Sequence, residues 1–141
     1  MNNLLSIIIP FYNEERTILE VLKSINQIKL NNYEYEIIII NDGSTDRSLE
    51  IVKENSNLYT KLINYQKNMG KGFAVKKGLE KSNGKYIIFQ DADLEYNPKD
   101  IEDFIKTINK LPKVDAIIGS RFNYKEYTRS HNFHNKLGNH F

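Results

Sequence analysis

A chain of 141 residues is the size of one ordinary domain, and at this length folding buries roughly two-thirds of the surface that the unfolded chain exposes, enough for one core. Hydrophobic residues at 40% and charged residues at 27% are globular values, which excludes disorder as a description of the whole. Lys plus Arg number 20 against 18 Asp plus Glu, a net charge of +2 that offers no bulk field for nucleic acid, and with no cysteine there is no disulfide, zinc–thiolate, iron–sulfur or thiol chemistry.

The first apolar run, Leu4 to Ile9, is broken by Pro10 and followed by Tyr12, Asn13, Glu14 and Glu15. Without a basic stretch ahead of it, it makes a poor secretory signal, and no segment approaches the ~20 apolar residues that span a bilayer, so the expected location is cytoplasmic. Residues 15–29 then place Ile18, Leu22, Ile25 and Ile28 on one helical stripe. A second apolar run, Ile37 to Ile40, ends in Asn41-Asp42-Gly43-Ser44-Thr45-Asp46, and a helix over 45–55 follows with Ser44 as its cap. A weaker run from Leu58 to Tyr65 leads through Asn68-Met69-Gly70-Lys71-Gly72 into a helix over 72–82, where Ala74 and Gly78, four apart, permit a close approach to a sheet.

The fourth run, Tyr86 to Phe89, ends in Gln90-Asp91-Ala92-Asp93. Asn97 as cap, Pro98 at the first helical position, and Asp100 and Glu102 in the first turn open a helix over 98–111, striped by Ile101, Phe104, Ile105, Ile108 and Leu111. A fifth run, Val114 to Ile118, ends in Gly119-Ser120-Arg121. From Phe122 to Phe141 the chain is polar, aromatic and basic without a period, and its three histidines read as surface residues.

Short Ile-rich runs without polar alternation suit strands buried on both faces, and their alternation with helices predicts an α/β fold: an open, mainly parallel, doubly wound sheet with helices on both faces. In such sheets ligands bind outside the carboxyl ends of the strands, where the five polar clusters converge. Asp91 and Asp93, one residue apart at a strand end, suit a hard divalent ion bridging to substrate phosphates; the bland alternative is a pair of solvated loop acids. The segment from Asp42 to Asp46 reads either as a strand-to-helix turn or as a turn in which Asp42 also accepts hydrogen bonds from a nucleobase. Gly70-Lys71-Gly72 offers backbone amides and an ammonium to a phosphate, and Arg121 a further cation.

Together Ile7 to Glu15, Ile40 to Asp46, Asn68 to Gly72, Asp91 to Leu94 and Gly119 to Arg121 resemble, in order and spacing, the nucleotide-sugar half of family 2 glycosyltransferases of the GT-A, Rossmann-like fold. The dolichyl- or polyprenyl-phosphate sugar synthases are the subgroup with the most similar motifs. The resemblance implies that Pro10, Tyr12 and Glu14 line the nucleoside pocket, Asp42 contacts the base, and Lys71 and Gly72 flank the nucleotide. It further implies that Asp91 and Ala92 approach the ribose and diphosphate, that Asp91 and Asp93 hold Mg²⁺ or Mn²⁺ with Asp93 as principal ligand, and that Arg121, helped by Arg129, neutralises phosphate. The implied reaction is metal-assisted, inverting transfer of a sugar from a nucleotide-diphosphate donor to a polyprenyl phosphate or a cell-surface glycan. A peripheral contact at the inner face of the membrane fits such an acceptor. Residues 1–121 would form the donor domain and 122–141 the start of an acceptor-side region that continues in the family.

Two rival enzyme classes fit less well. A dinucleotide-dependent oxidoreductase needs a glycine-rich first turn, where Glu14 and Glu15 would instead repel a diphosphate. A sugar-phosphate nucleotidyltransferase would open with a glycine-rich basic loop after the first strand, which is absent. A domain that binds nucleotide sugar without transferring it is the remaining alternative.

Overall fold

The computed structural model describes residues 3–110 and 115–117. Within them the apolar runs form strands β1 (Leu4–Phe11), β2 (Glu34–Asp42), β3 (Lys61–Tyr65) and β4 (Tyr86–Phe89). Between and after them lie helices α1 (Ile18–Ile25), α2 (Ser48–Glu54), α3 (Lys71–Leu79) and α4 (Asp100–Lys110), with a 3-10 turn at Ser56–Leu58 ahead of β3. The strands form one sheet in the order β3-β2-β1-β4, and every pairing is parallel. The chain winds outward from β1 to β3, then returns to place β4 on the other side of β1. That reversal splays the loops at the carboxyl ends of β1 and β4 apart and opens a crevice between them.

β1 and β2 are buried along nearly their whole length because helices cover both faces. Alternate residues serve opposite layers, as the two-residue period of a strand requires. Leu5, Ile7, Ile9, Ile37 and Ile39 pack with Ile18, Leu22 and Ile25 of α1, Val52 of α2, and Ile101 and Ile105 of α4. On the other face Ile8, Ile38 and Ile40 pack with Ala74 of α3. α3 comes so close that a Cβ at Gly78 would lie 2.5 Å from Ile8 Cγ2, as the spacing of Ala74 and Gly78 led us to expect.

A proline inside a central strand removes a ladder donor, yet Pro10 pairs with Ile40 near the end of β1. Ile8 turns its carbonyl toward β4 and accepts the Gln90 N–H at 3.0 Å. Pro10, two residues on, points the same way, but the β1–β4 ladder has already ended at Ile8 and Phe89. The missing N–H therefore falls where the crevice begins.

The helices are shorter than the apolar stripes suggest. α1 stops at Ile25 because Asn26 Nδ2 donates to the carbonyls of Leu22 at 2.8 Å and Leu58 at 2.9 Å, while Ile28 still joins the core from the following turn. α4 begins two residues after Pro98: Asn97 Oδ1 accepts the Lys99 N–H at 3.0 Å, and the Asn97 carbonyl accepts that of Asp100 at 2.9 Å. Of the fifth apolar run, residues 115–117 are described and form no strand. The rest of that run, Arg121, Arg129 and the boundary between 121 and 122 lie outside the described residues.

Candidate functional site

Four strand ends meet in a cleft of about 250 Å³. β1 supplies Pro10, Phe11, Tyr12 and Glu14; β2 supplies Asp42; the turn into α3 supplies Asn68, Gly70 and Lys71; and the segment after β4 supplies Asp91, Ala92 and Asp93. Eight of the residues expected from sequence are thus brought together: Pro10, Tyr12, Glu14, Asp42, Lys71, Asp91, Ala92 and Asp93. Gly72 sits in the first turn of α3, behind that wall.

Asp42 closes β2 and is almost fully buried. Its Oδ1 accepts the Met69 N–H at 2.9 Å and its Oδ2 the Gly70 N–H at 2.8 Å. The loop ahead of α3 is therefore tied to the end of β2 by one carboxylate. This corrects one expectation: the Gly70 amide, which also reaches Asn68 Oδ1 at 3.0 Å, is committed to the protein and is no donor for a phosphate. Gly43 brings the same two loops together. It holds φ 73°, and a Cβ there would lie 2.5 Å from Asn68 N and from the Lys67 carbonyl carbon. Only glycine meets both demands.

The β1 and β2 loops are stitched as tightly. Asn13, at φ 55°, accepts the Thr45 N–H on Oδ1 at 2.8 Å while its own N–H donates to Ser44 Oγ at 3.1 Å. The Glu14 N–H donates to Ser48 Oγ at 2.7 Å, and the Glu15 N–H to Asp46 Oδ2 at 3.1 Å. Ser44 therefore does not cap α2 as its position suggested. Asp46 does, accepting the Ser48 N–H at 2.9 Å and the Ser48 hydroxyl. Burial pushes the Asp46 carboxyl up, but the Ser48 hydroxyl and amide, with the Glu15 amide, outweigh it and hold it below its ordinary value. At the β1 side of the cleft, Glu14 is positioned by the Thr17 hydroxyl, which donates to its Oε2 at 2.7 Å.

Past β4, Asp91 is mostly shielded, and its Oδ1 meets the Lys71 ammonium at 2.6 Å. Asp93 is exposed, and its Oδ1 accepts the Glu95 N–H at 3.0 Å. The two carboxylates thus sit on one wall with an ammonium across from the first. Phe11 also lines the cleft and was not singled out from sequence; Asn68 and Gly70, part of the polar cluster ahead of α3, line it too. Gly70 holds φ 93° at the residue before α3, a backbone conformation that glycine adopts without strain.

Comparison with known proteins assigns the chain to a family and a fold. Residues 6–141 match glycosyl transferase family 2. A dolichyl-phosphate beta-glucosyltransferase of Trichomonas vaginalis is 33% identical over 137 residues, covering 89% of this chain and 42% of its own length. The chain spans about a third to a half of the length of the curated relatives it matches. Among solved structures, S. aureus TarS 1-349 in complex with UDP superposes with a TM-score of 0.66 at 24% identity, over 86% of this chain and 39% of that one. The mannosyltransferase PcManGT from Pyrobaculum calidifontis, in complex with GDP-Man and Mn²⁺, gives 0.63 at 24% identity over 74% and 32%. The fold they share with this chain is the GT-A glycosyltransferase fold.

Proposed function

This chain belongs to glycosyl transferase family 2, and from that premise we propose that its cleft binds a nucleotide-diphosphate sugar, which the whole protein transfers to an acceptor. The observation that carries the reading is the convergence of Asp42, Lys71, Asp91 and Asp93 on one cleft where a parallel sheet reverses its strand order. In this reading Pro10, Tyr12 and Glu14 wall the nucleoside end, and Asp42 uses lone pairs not engaged by the Met69 and Gly70 amides to read the base. Lys71 faces the diphosphate; Gly72 supports it from the first turn of α3.

The donor set fits Mg²⁺ or Mn²⁺. Asp91 and Asp93 supply hard carboxylate oxygens, and among the described residues no cluster of three or more His, Cys, Asp or Glu forms a closed cage. Two carboxylates plus substrate phosphates and water is the way Mg²⁺ is commonly held. When bound, such an ion supplies Lewis-acid stabilisation of the charge that develops on the leaving diphosphate. Lys71, and in this proposal Arg121 and Arg129, add positive charge at that same diphosphate, where fixed charges typically lower a barrier by several kcal/mol. The bond from sugar C1 to the diphosphate oxygen breaks as the acceptor oxygen bonds to the opposite face of C1, which inverts the anomeric centre.

A polyprenyl phosphate is the acceptor we favour. A phosphate oxygen is already anionic and needs no strong general base, and among the described residues the cleft holds no histidine. The 33% identical relative named for dolichyl phosphate supports the same choice. Among the described residues no helix is long and apolar enough to cross a membrane. In this reading a lipid acceptor is met by peripheral contact at the cytoplasmic face or by parts of the protein outside these residues. The test is a thermal-shift panel of UDP-, GDP- and dTDP-sugars with and without Mn²⁺, since a ligand raises the melting temperature only of a protein whose folded state binds it. A metal-dependent rise with one nucleotide supports the reading; no rise with any of them overturns it.

A further inference from the structure

We infer that Lys71 is a built-in counter-cation for Asp91 which a bound diphosphate draws away, so that the cleft takes up a divalent cation strongly only together with nucleotide. This rests on the donor-site reading above and adds an order of events to it.

Among the described ion pairs, those of Arg47 with Glu50, Lys77 with Glu80 and Lys106 with Asp103 each join neighbours three apart in sequence. The Lys71–Asp91 pair differs in linking two strand-end segments across the cleft, at 2.6 Å. Its halves differ in freedom as well: the Asp91 side chain is 22% exposed and that of Lys71 64%. The carboxylate is held, and the ammonium lies on a flexible four-carbon stem with solvent beside it. The backbone beneath the stem is anchored, because Asp42 fixes the amides of Met69 and Gly70. Around it there is space, since a Cβ at Gly70 or at Gly72 would meet nothing within 4 Å. The ammonium can therefore leave Asp91 by rotating side-chain torsions alone.

An ammonium and a divalent ion at one carboxylate repel each other. A cation arriving alone must displace Lys71 into water and loses part of its binding free energy in doing so. A diphosphate offers the ammonium oxygens of higher charge density a short distance away and leaves the Asp91 carboxylate to the metal. Nucleotide and cation then raise each other's affinity by the same factor, as linkage requires.

The test measures binding of Mn²⁺ alone, from the electron spin resonance signal of the unbound ion, and repeats it with UDP and with GDP. The proteins are the wild type, Lys71→Ala, Lys71→Arg and Asp91→Asn, each checked for folding by circular dichroism. Lys71→Ala is expected to tighten Mn²⁺ binding in the absence of nucleotide by about two- to fivefold, the range for a largely exposed ion pair, and to shrink the enhancement given by nucleotide. Lys71→Arg, which keeps the charge, should bind Mn²⁺ alone no more tightly than the wild type, and Asp91→Asn should lose the strong Mn²⁺ binding seen with nucleotide. The inference is overturned if Lys71→Ala binds Mn²⁺ alone no more tightly than the wild type while nucleotide-dependent Mn²⁺ binding is intact, an outcome that leaves the donor site standing. Absence of nucleotide-dependent Mn²⁺ binding in the wild type would remove the donor-site reading and this inference together.

Discussion

The Gly70 N–H donates to Asp42 Oδ2 at 2.8 Å, so the last residue of β2 fixes the residue that opens α3. The neighbouring Met69 N–H occupies Oδ1, and the carboxylate is 3% exposed. Hydrogen bonds to a charged acceptor contribute about 1.5–3 kcal/mol each, and buried donors left unpaired cost more than the bond itself. Asp42→Ala is therefore expected to lower unfolding stability by about 2–4 kcal/mol, measured by urea denaturation. Binding separates its two roles. If Asp42 reads the base, the variant weakens nucleoside monophosphate and diphosphate by a similar factor. An effect confined to the diphosphate would mean that Asp42 acts only by holding the loop that carries Lys71.

Asp93 allows a cleaner substitution because its side chain is exposed and its Oδ1 accepts a single local amide, that of Glu95. Asn keeps that acceptor and removes the charge. Asp93→Asn should leave stability within about 0.5 kcal/mol of wild type and abolish the enhancement of nucleotide-diphosphate binding by Mn²⁺, both read by calorimetry. Nucleotide binding indifferent both to EDTA and to this substitution would show that no cation is held there.

The strands and the cleft were legible in the sequence for different reasons. Leu4 to Ile9 and Ile37 to Ile40 carry no polar alternation, and only a strand covered on both faces tolerates that. The polar residues bunch at strand ends, and the carboxyl-end rule then places Asp42, Lys71 and Asp91 in one crevice. What could not be read was how the loops hold one another. Ser44 and Asp46 are both plausible caps by composition, and which one serves α2 depends on Ser44 being engaged by the Asn13 N–H, a contact 31 residues away in sequence. The same is true of Gly70, whose amide looks available until the fold brings Asp42 beneath it. Helix ends were also hidden, because Asn26 stops α1 through a carbonyl of Leu58 that local pattern does not reveal.

At the opposite end of the sheet from the cleft, Ser6 and Glu36 stand side by side in register and are both buried. The Ser6 hydroxyl donates to Glu36 Oε1 at 2.6 Å, the Asn83 N–H donates to the same oxygen at 2.6 Å, and Ser6 Oγ accepts the Gly84 N–H at 2.8 Å. This network moors the α3–β4 connection. Burial pushes the Glu36 carboxyl up, but the hydrogen bonds from Ser6 and Asn83, with the Lys61 charge, prevail and hold it below the ordinary 4.5. A carboxyl lowered in the folded state contributes stability that is full above its unfolded value and is lost as pH falls through the folded one. The stability advantage of wild type over Glu36→Gln should therefore be constant from pH 7 to about 5 and shrink below about 4.5. Melting temperatures of the pair across that range check it, and an advantage that grows on acidification would contradict the assignment.

Gly43 joins stability to function at one backbone position. Its φ of 73° disfavours any L side chain, and a Cβ would come within 2.5 Å of backbone atoms of both Lys67 and Asn68, which no rotamer change can relieve. The left-handed conformation alone costs a non-glycine residue about 1–2 kcal/mol, and backbone displacement adds to it. Gly43→Ala is thus expected to destabilise the fold by about 2–4 kcal/mol. The loop that must yield runs from Lys67 to Gly70 and positions Lys71, so the damage should reach the cleft: nucleotide-diphosphate affinity should fall by at least about tenfold, the equivalent of 1.4 kcal/mol. Gly72→Ala is the control, because a Cβ there meets open space within an α-helix and should cost little stability. Equal loss of nucleotide affinity in both variants would show that the glycines act through general loop flexibility; loss in Gly43→Ala alone supports a cleft shaped by the contact between the β2 and β3 loops.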